Sequence, residues 1–208
     1  MKYNLSSLCE YRKGKVDVDM LDRDTYISTE NMLPNKGGVV QAVSLPAISQ
    51  TQEYKKGDVL VSNIRPYFKK IWQAEYDGGC SNDVLVFKAN ESTDKDFLYY
   101  VLADDAFFNY SMATSKGTKM PRGDKTSIMQ YGVPHYDIVR QKKIACVLRM
   151  LDKKIELNNK INNNLPPHLC VARIAAKQRR QTPQTDGKVS VRGGNEETAK
   201  QFSSVLAA

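Results

Sequence analysis

Two short β-rich runs stand out in the first half of the chain. Val59-Leu60-Val61-Ser62-Asn63-Ile64 follows the turn-forming Lys55-Lys56-Gly57-Asp58, and Val84-Leu85-Val86-Phe87 follows Gly78-Gly79. Apolar runs of this length, bounded by turn signals, predict core strands. Thr93-x-x-Asp96 then reads as a capping box opening a helix. Its apolar face is Phe97, Leu98, Val101, Leu102 and Phe108, and its expected end lies near Asn109 and Ser111. Gly, Asn, Asp and Pro punctuate the rest of 1–136, which predicts a compact, β-rich α+β domain.

The pattern changes at 137–165. Asp137 is an expected N-cap after Pro134, and no Gly or Pro interrupts the run before Pro166-Pro167. Ile144, Leu148, Leu151, Ile155, Asn158, Asn162 and Leu165 fall at alternating steps of four and three, the spacing of a coiled-coil seam. A helix over 138–165 would be about 40 Å long at 1.5 Å per residue. A seam of that length is expected to pair with a second helix, the two Asn fixing register; the alternative is a helix lying on its own domain. Residues 166–208 show no sustained period and few large apolar residues. They are expected to form a mostly disordered basic tail, with room for a short helix over 169–180.

Composition narrows the class. With 41% hydrophobic and 26% charged residues, the 208-residue chain is an ordinary globular protein rather than a disordered or fibrous one. No stretch approaches the roughly 18 apolar residues of a membrane span, and the first residues lack a secretory signal, so a soluble cytoplasmic protein with no membrane association is expected. Cys9, Cys80, Cys146 and Cys170 are scattered, with only His135 and His168 beside them, so neither a disulfide framework nor a structural metal is expected. The net charge of +8 makes a polyanion the first partner to consider. Residues 1–165 hold 24 Lys/Arg against 20 Asp/Glu, so the body is only mildly basic and its cations matter where they cluster.

Signatures of catalysis are missing. Asn164-Leu165-Pro166-Pro167-His168 departs from an amino-methyltransferase motif in spacing and at the aromatic position, and Gly123-Asp124-Lys125-Thr126 puts a carboxylate where a P-loop would hold phosphate. No Gly-x-Gly-x-x-Gly is present, and no carboxylate spacing marks a metal-dependent nuclease. No catalytic residue, metal or cofactor is therefore expected. Two cationic clusters remain. Asn63-Ile64-Arg65-Pro66-Tyr67-Phe68-Lys69-Lys70 and Lys116-Gly117-Thr118-Lys119-Met120-Pro121-Arg122-Gly123-Asp124-Lys125 join cations to turn residues and, in the first, an aromatic pair. Such side chains hold phosphates, and Arg also grips guanine with two bonds. The candidate DNA contacts are Arg65, Tyr67, Lys69, Lys70, Lys116, Lys119, Arg122 and Lys125. Gly57, Asp58 and Gly117 are expected to be turn-makers.

Lys56-Gly57-Asp58-Val59-Leu60-Val61-Ser62-Asn63-Ile64-Arg65-Pro66-Tyr67, Gly117-Thr118-Lys119-Met120, Val133-Pro134 and Gln141-Lys142-Lys143-Ile144-Ala145, ahead of Leu151-Asp152-Lys153-Lys154-Ile155, closely resemble the DNA-specificity subunits of type I restriction-modification systems over roughly 5–165. The resemblance implies a target-recognition domain (1–136) followed by a long pairing helix (137–165) and, outside the family pattern, the 166–208 tail. In that family two such units in tandem pack their helices antiparallel, and each reads half of a bipartite double-stranded DNA target. Partner modification (methyltransferase) and restriction subunits perform the chemistry. A chain with one unit is expected to act as a non-catalytic half-subunit that forms a homodimer or pairs with another specificity chain. Its departure from the family after Leu165 leaves open a truncated or silent cassette, and an interaction module that reads no DNA is the third reading.

Overall fold

The computed structural model describes residues 2–117 and 119–164; the tail expected over 166–208, its short helix and the seam residue Leu165 lie outside the described residues. Ten strands appear in chain order: β1 (Lys2–Asn4), β2 (Cys9–Tyr11), β3 (Lys15–Asp17), β4 (Tyr26–Ile27), β5 (Gln50–Tyr54), β6 (Val59–Ser62), β7 (Ile71–Gln73), β8 (Gly78–Cys80), β9 (Val84–Ala89) and β10 (Gly132–Pro134). The helices are α1 (Lys95–Ala103), α2 (Asp105–Ala113), α3 (Lys125–Met129) and α4 (Ile138–Asn163). Mixed sheets and helices make up the fold.

The two predicted core strands are neighbours. β6 and β9 pair antiparallel at the centre of a four-stranded sheet ordered β2-β9-β6-β7. Both faces of these strands are covered, which is why their sequence shows an unbroken apolar run instead of alternation. Val59, Val61, Leu85 and Phe87 belong to a core built with Phe97, Leu98 and Leu102 of α1 and Phe107 and Phe108 of α2. Leu60, Val84 and Val86 join a second core with Ile27, Met32, Tyr54 and Cys80. That second core lies against the other sheet, ordered β3-β5-β8-β4, in which only β4 and β8 run parallel. A short ladder of β1 with β10 joins the start of the chain to the residues just before α4.

The helical segment differs from its expected form. Its N-cap is Asp94, whose side chain accepts from the Phe97 N–H at 3.0 Å, while Thr93 is buried and its hydroxyl has no partner among the described residues. A second cap, Asp104, accepts from the Ala106 N–H and restarts the chain as α2, which runs on through Ala113. Two successive aspartate caps thus make two helices where one was predicted. Asp137 does cap α4, accepting from the Arg140 N–H at 2.8 Å. Cys9 and Cys80 are free, buried thiols, each pushed up to about 12 chiefly by burial, whereas Cys146 is free and exposed.

Contacts divide the chain into two units, 1–157 and 158–208. The first unit includes α4 as far as Leu157. There Gln141 and Ala145 are buried and Ile144 packs against the first core, so the first position of the predicted seam lies on the domain itself. Arg149 pairs with Asp96 at 2.6 Å, and the Tyr100 hydroxyl donates to Asp152 at 2.7 Å. Farther along, Leu151 and Ile155 are more than half exposed. In the second unit, the described residues 158–164 end the helix, with Asn158 and Asn162 exposed.

Candidate nucleic-acid interface

The two cationic segments, about fifty residues apart in sequence, are stitched together. Arg65 N–H donates to the Pro121 carbonyl at 2.9 Å, and Gly123 N–H donates to the Asn63 carbonyl at 3.2 Å. Lys116 and Arg122 exchange both backbone hydrogen bonds, at 2.9 and 3.0 Å, and so close the second loop on itself. Gly123 is required by close approach: a Cβ there would stand 2.8 Å from Asn63 Oδ1 and from Ile128 Cδ1, and 2.9 Å from Ser111 Oγ. Asp124 then caps α3 through the Ser127 N–H and hydroxyl, and these bonds hold its carboxyl below the usual range.

Backbone strain marks the first loop. Arg65 and Lys69 adopt left-handed φ values of 50° and 51° on either side of the Pro66–Phe68 turn. For a residue preceding proline this conformation is doubly disfavoured. It persists because the Arg65 N–H is tied to Pro121 and the Asn35 N–H to the Phe68 carbonyl at 2.8 Å. Arg65 Nε is buried with no hydrogen-bond partner among the described residues.

Most of the expected DNA-contacting cations are already engaged. Lys69 and Lys36 both pair with Asp105, at 2.8 and 2.9 Å, and hold its carboxyl down to about 2. Lys70 donates to the Thr29 carbonyl at 2.6 Å. Arg122 pairs with Asp83 at 3.2 Å, and Lys116 with Asp124 at 3.2 Å. Lys119 and Lys125 are exposed and have no ion-pair partner among the described residues. Tyr67 is half exposed beside Phe68, their ring centroids 4.6 Å apart.

Sequence patterning missed a groove next to these loops. It has a volume of about 390 Å³ and is lined by residues that include Lys13, Lys15, Gln50, Gln52, Asn82 and Lys125. Its residues come from four separate stretches of the chain, so no linear motif announces it. Patterning also missed a second apolar row on α4, where Val147, Met150, Leu157 and Ile161 are exposed beside the predicted seam. No group of three His, Cys, Asp or Glu able to hold a metal occurs among the described residues. No described helix is long and apolar enough to cross a membrane.

Residues 1–166 match the family described as the type I restriction modification DNA specificity domain. Among curated proteins, the chain is 27% identical over 175 residues to the type I restriction enzyme HindI specificity subunit of Haemophilus influenzae, covering 79% of this chain and 38% of that protein. It is 25% identical over 118 residues to the EcoDI specificity subunit of Escherichia coli, covering 56% of this chain and 26% of that protein. Of solved structures, the HsdS subunit from Thermoanaerobacter tengcongensis superposes with a TM-score of 0.62 at 18% identity, covering 91% of this chain and 51% of that one. The type I restriction-modification S subunit from M. genitalium superposes at 0.53 and 18% identity, covering 79% and 43%. These structural likenesses show the fold, and the chain spans about half or less of the length of each of these relatives. With four-fifths of its residues matched, the chain belongs to the type I restriction modification DNA specificity domain family.

Proposed function

We propose that this chain is a target-recognition unit of a type I restriction-modification specificity subunit. It binds double-stranded DNA, reads one half of a bipartite target, and delivers partner modification and restriction subunits to it without performing chemistry itself. The observation that carries this reading is the family match over 1–166, which takes in both the sheet-and-helix domain and α4. The joined loops of Arg65, Tyr67, Lys69 and Lys70 and of Lys116, Lys119, Arg122 and Lys125 support it: cations and an aromatic are set on a rigid core, where readout can vary without unfolding the protein.

Residues 1–136 act in this reading as the recognition domain and 137–165 as the helix for pairing. The partner is a second copy of the chain. Val147, Met150, Leu151 and Ile155 leave an apolar face of α4 exposed, and closed two-fold symmetry is the commonest solution for a self-complementary face. Such a pair reads two inverted half-sites.

The test is to express the chain with a type I modification subunit and to map methylated positions in cellular DNA. Methylation at one bipartite, inverted-repeat sequence is expected. Absent methylation, or methylation without sequence preference, would overturn the proposal.

A further inference from the structure

The groove beside the cationic loops has the chemistry of a DNA seat, and the loops themselves are less free to act as one. Lys69, Lys116 and Arg122 each have a carboxylate within 3.2 Å, so a phosphate at any of them must displace an existing partner. Lys13, Lys15 and Lys125 are exposed around the groove, have no ion-pair partner among the described residues, and share its wall with no carboxylate. The one arginine of the groove, Arg12, is committed to Asp58, to which its Nη2 donates at 2.9 Å. Three unpaired lysines on a concave surface focus positive potential where an anion can enter.

Three amides accompany them. Lys15 stands directly opposite Gln52 in the β3–β5 ladder, and Gln50 lies two residues before Gln52 on the same strand. Gln50 Nε2 donates to Asp17 at 2.7 Å, which orients that side chain, while Gln52 makes a single long bond of 3.4 Å to the Arg12 carbonyl. The Asn82 amide makes no side-chain hydrogen bond among the described residues and is exposed. Asn and Gln amides offer a donor and an acceptor side by side, the pattern that reads adenine through N6 and N7.

The groove is also continuous with the loops. Asn82 adjoins Asp83, the partner of Arg122, and the Tyr11 hydroxyl fixes the Lys125 carbonyl at 2.9 Å. We infer that this groove is the principal duplex contact of the domain, with Lys13, Lys15 and Lys125 on phosphates of the backbone and Gln52 and Asn82 reading a base edge. The inference rests on the DNA-reading function proposed above and names the residues that carry it out.

The experiment is fluorescence anisotropy of the whole 208-residue chain with a random-sequence duplex, between about 50 and 200 mM salt. Lys13→Gln/Lys15→Gln/Lys125→Gln should weaken binding by roughly tenfold or more at the low-salt end. It should also flatten the slope of log affinity against log salt by about 3, since each lost phosphate contact removes about 0.9. All three positions are exposed, and glutamine keeps a polar head on a shorter stem without the charge. Lys116→Gln/Arg122→Gln should change the slope by less than 1. If the groove triple binds like the parent while the loop pair loses affinity, the groove assignment is overturned and DNA reading stands. If the parent chain fails to bind at low salt, both fall together. For base reading, Gln52→Ala and Asn82→Ala in the methylating complex should each relax one position of the methylated sequence. An unchanged sequence with both variants would overturn that part.

Discussion

Asp58 is almost fully buried, yet it lies in a turn whose sequence suggests only a surface bend. Gly57, with φ +93°, does supply the left-handed residue the turn needs. Asp58 does more: it accepts the Lys55 N–H at 2.8 Å and grips the Arg12 guanidinium through two nitrogens, tying the turn before β6 to the end of β2. Removing the carboxylate strands a part-buried guanidinium and a backbone donor. Asp58→Ala should therefore cost about 3 kcal/mol, read from urea unfolding, the range found when one partner of a buried pair is deleted. Asp58→Asn should cost less, because its amide oxygen still accepts the turn bond. A loss for Asp58→Ala smaller than about 1 kcal/mol would show that Arg12 is solvated and that the pair is merely superficial.

At the scale of elements, one buried polar side chain ties α4 to its domain beside the packing of Ile144 and Ala145 and the Arg149–Asp96 pair. Gln141 Oε1 accepts the Asp94 N–H at 2.9 Å, and its Nε2 donates to the Tyr136 carbonyl at 2.8 Å, joining the start of α4 to the N-cap of α1. Gln141→Leu should leave both backbone groups unpaired and lower stability by about 1–3 kcal/mol, seen as an earlier urea midpoint and faster hydrogen exchange at Asp94. An unmoved midpoint would refute the anchoring role. The same elements show what the sequence could reveal. β6 and β9 were legible because burial on both faces writes an unbroken apolar run. β3, β5 and β8 were not: Gln50-Thr51-Gln52-Glu53 carries no apolar period, since β3 and β5 border the groove and keep polar side chains there, while Gly78-Gly79 sits where a Cβ would collide with the Thr25 carbonyl and the Leu21 side chain. The cationic loops were legible as clusters of charge, but their carboxylate partners, Asp83 and Asp105, lie far off in sequence, so which cations are free was not. On α4, Leu151 and Ile155 were legible as apolar positions the domain leaves exposed, whereas nothing in a heptad pattern shows that Ile144 is taken up by the domain itself.

For the whole molecule, the consequence turns on what α4 leaves uncovered. Val147, Met150, Leu151 and Ile155 are each more than half exposed and form adjoining rows on one side of the helix, an apolar strip of the kind that soluble monomers rarely keep. If a second copy covers it, Leu151→Glu/Ile155→Glu should convert a dimer at micromolar concentration into a monomer in sedimentation equilibrium. The domain's unfolding transition should stay in place, because neither side chain is part of its cores. DNA binding separates further: a duplex with one half-site should bind parent and variant alike. A duplex with two inverted half-sites should hold the parent tighter by roughly a hundredfold or more, since pairing makes the second contact intramolecular. A parent chain that sediments as a monomer, or a double variant that keeps the two-site advantage, would mean that this face of α4 meets something other than its own twin.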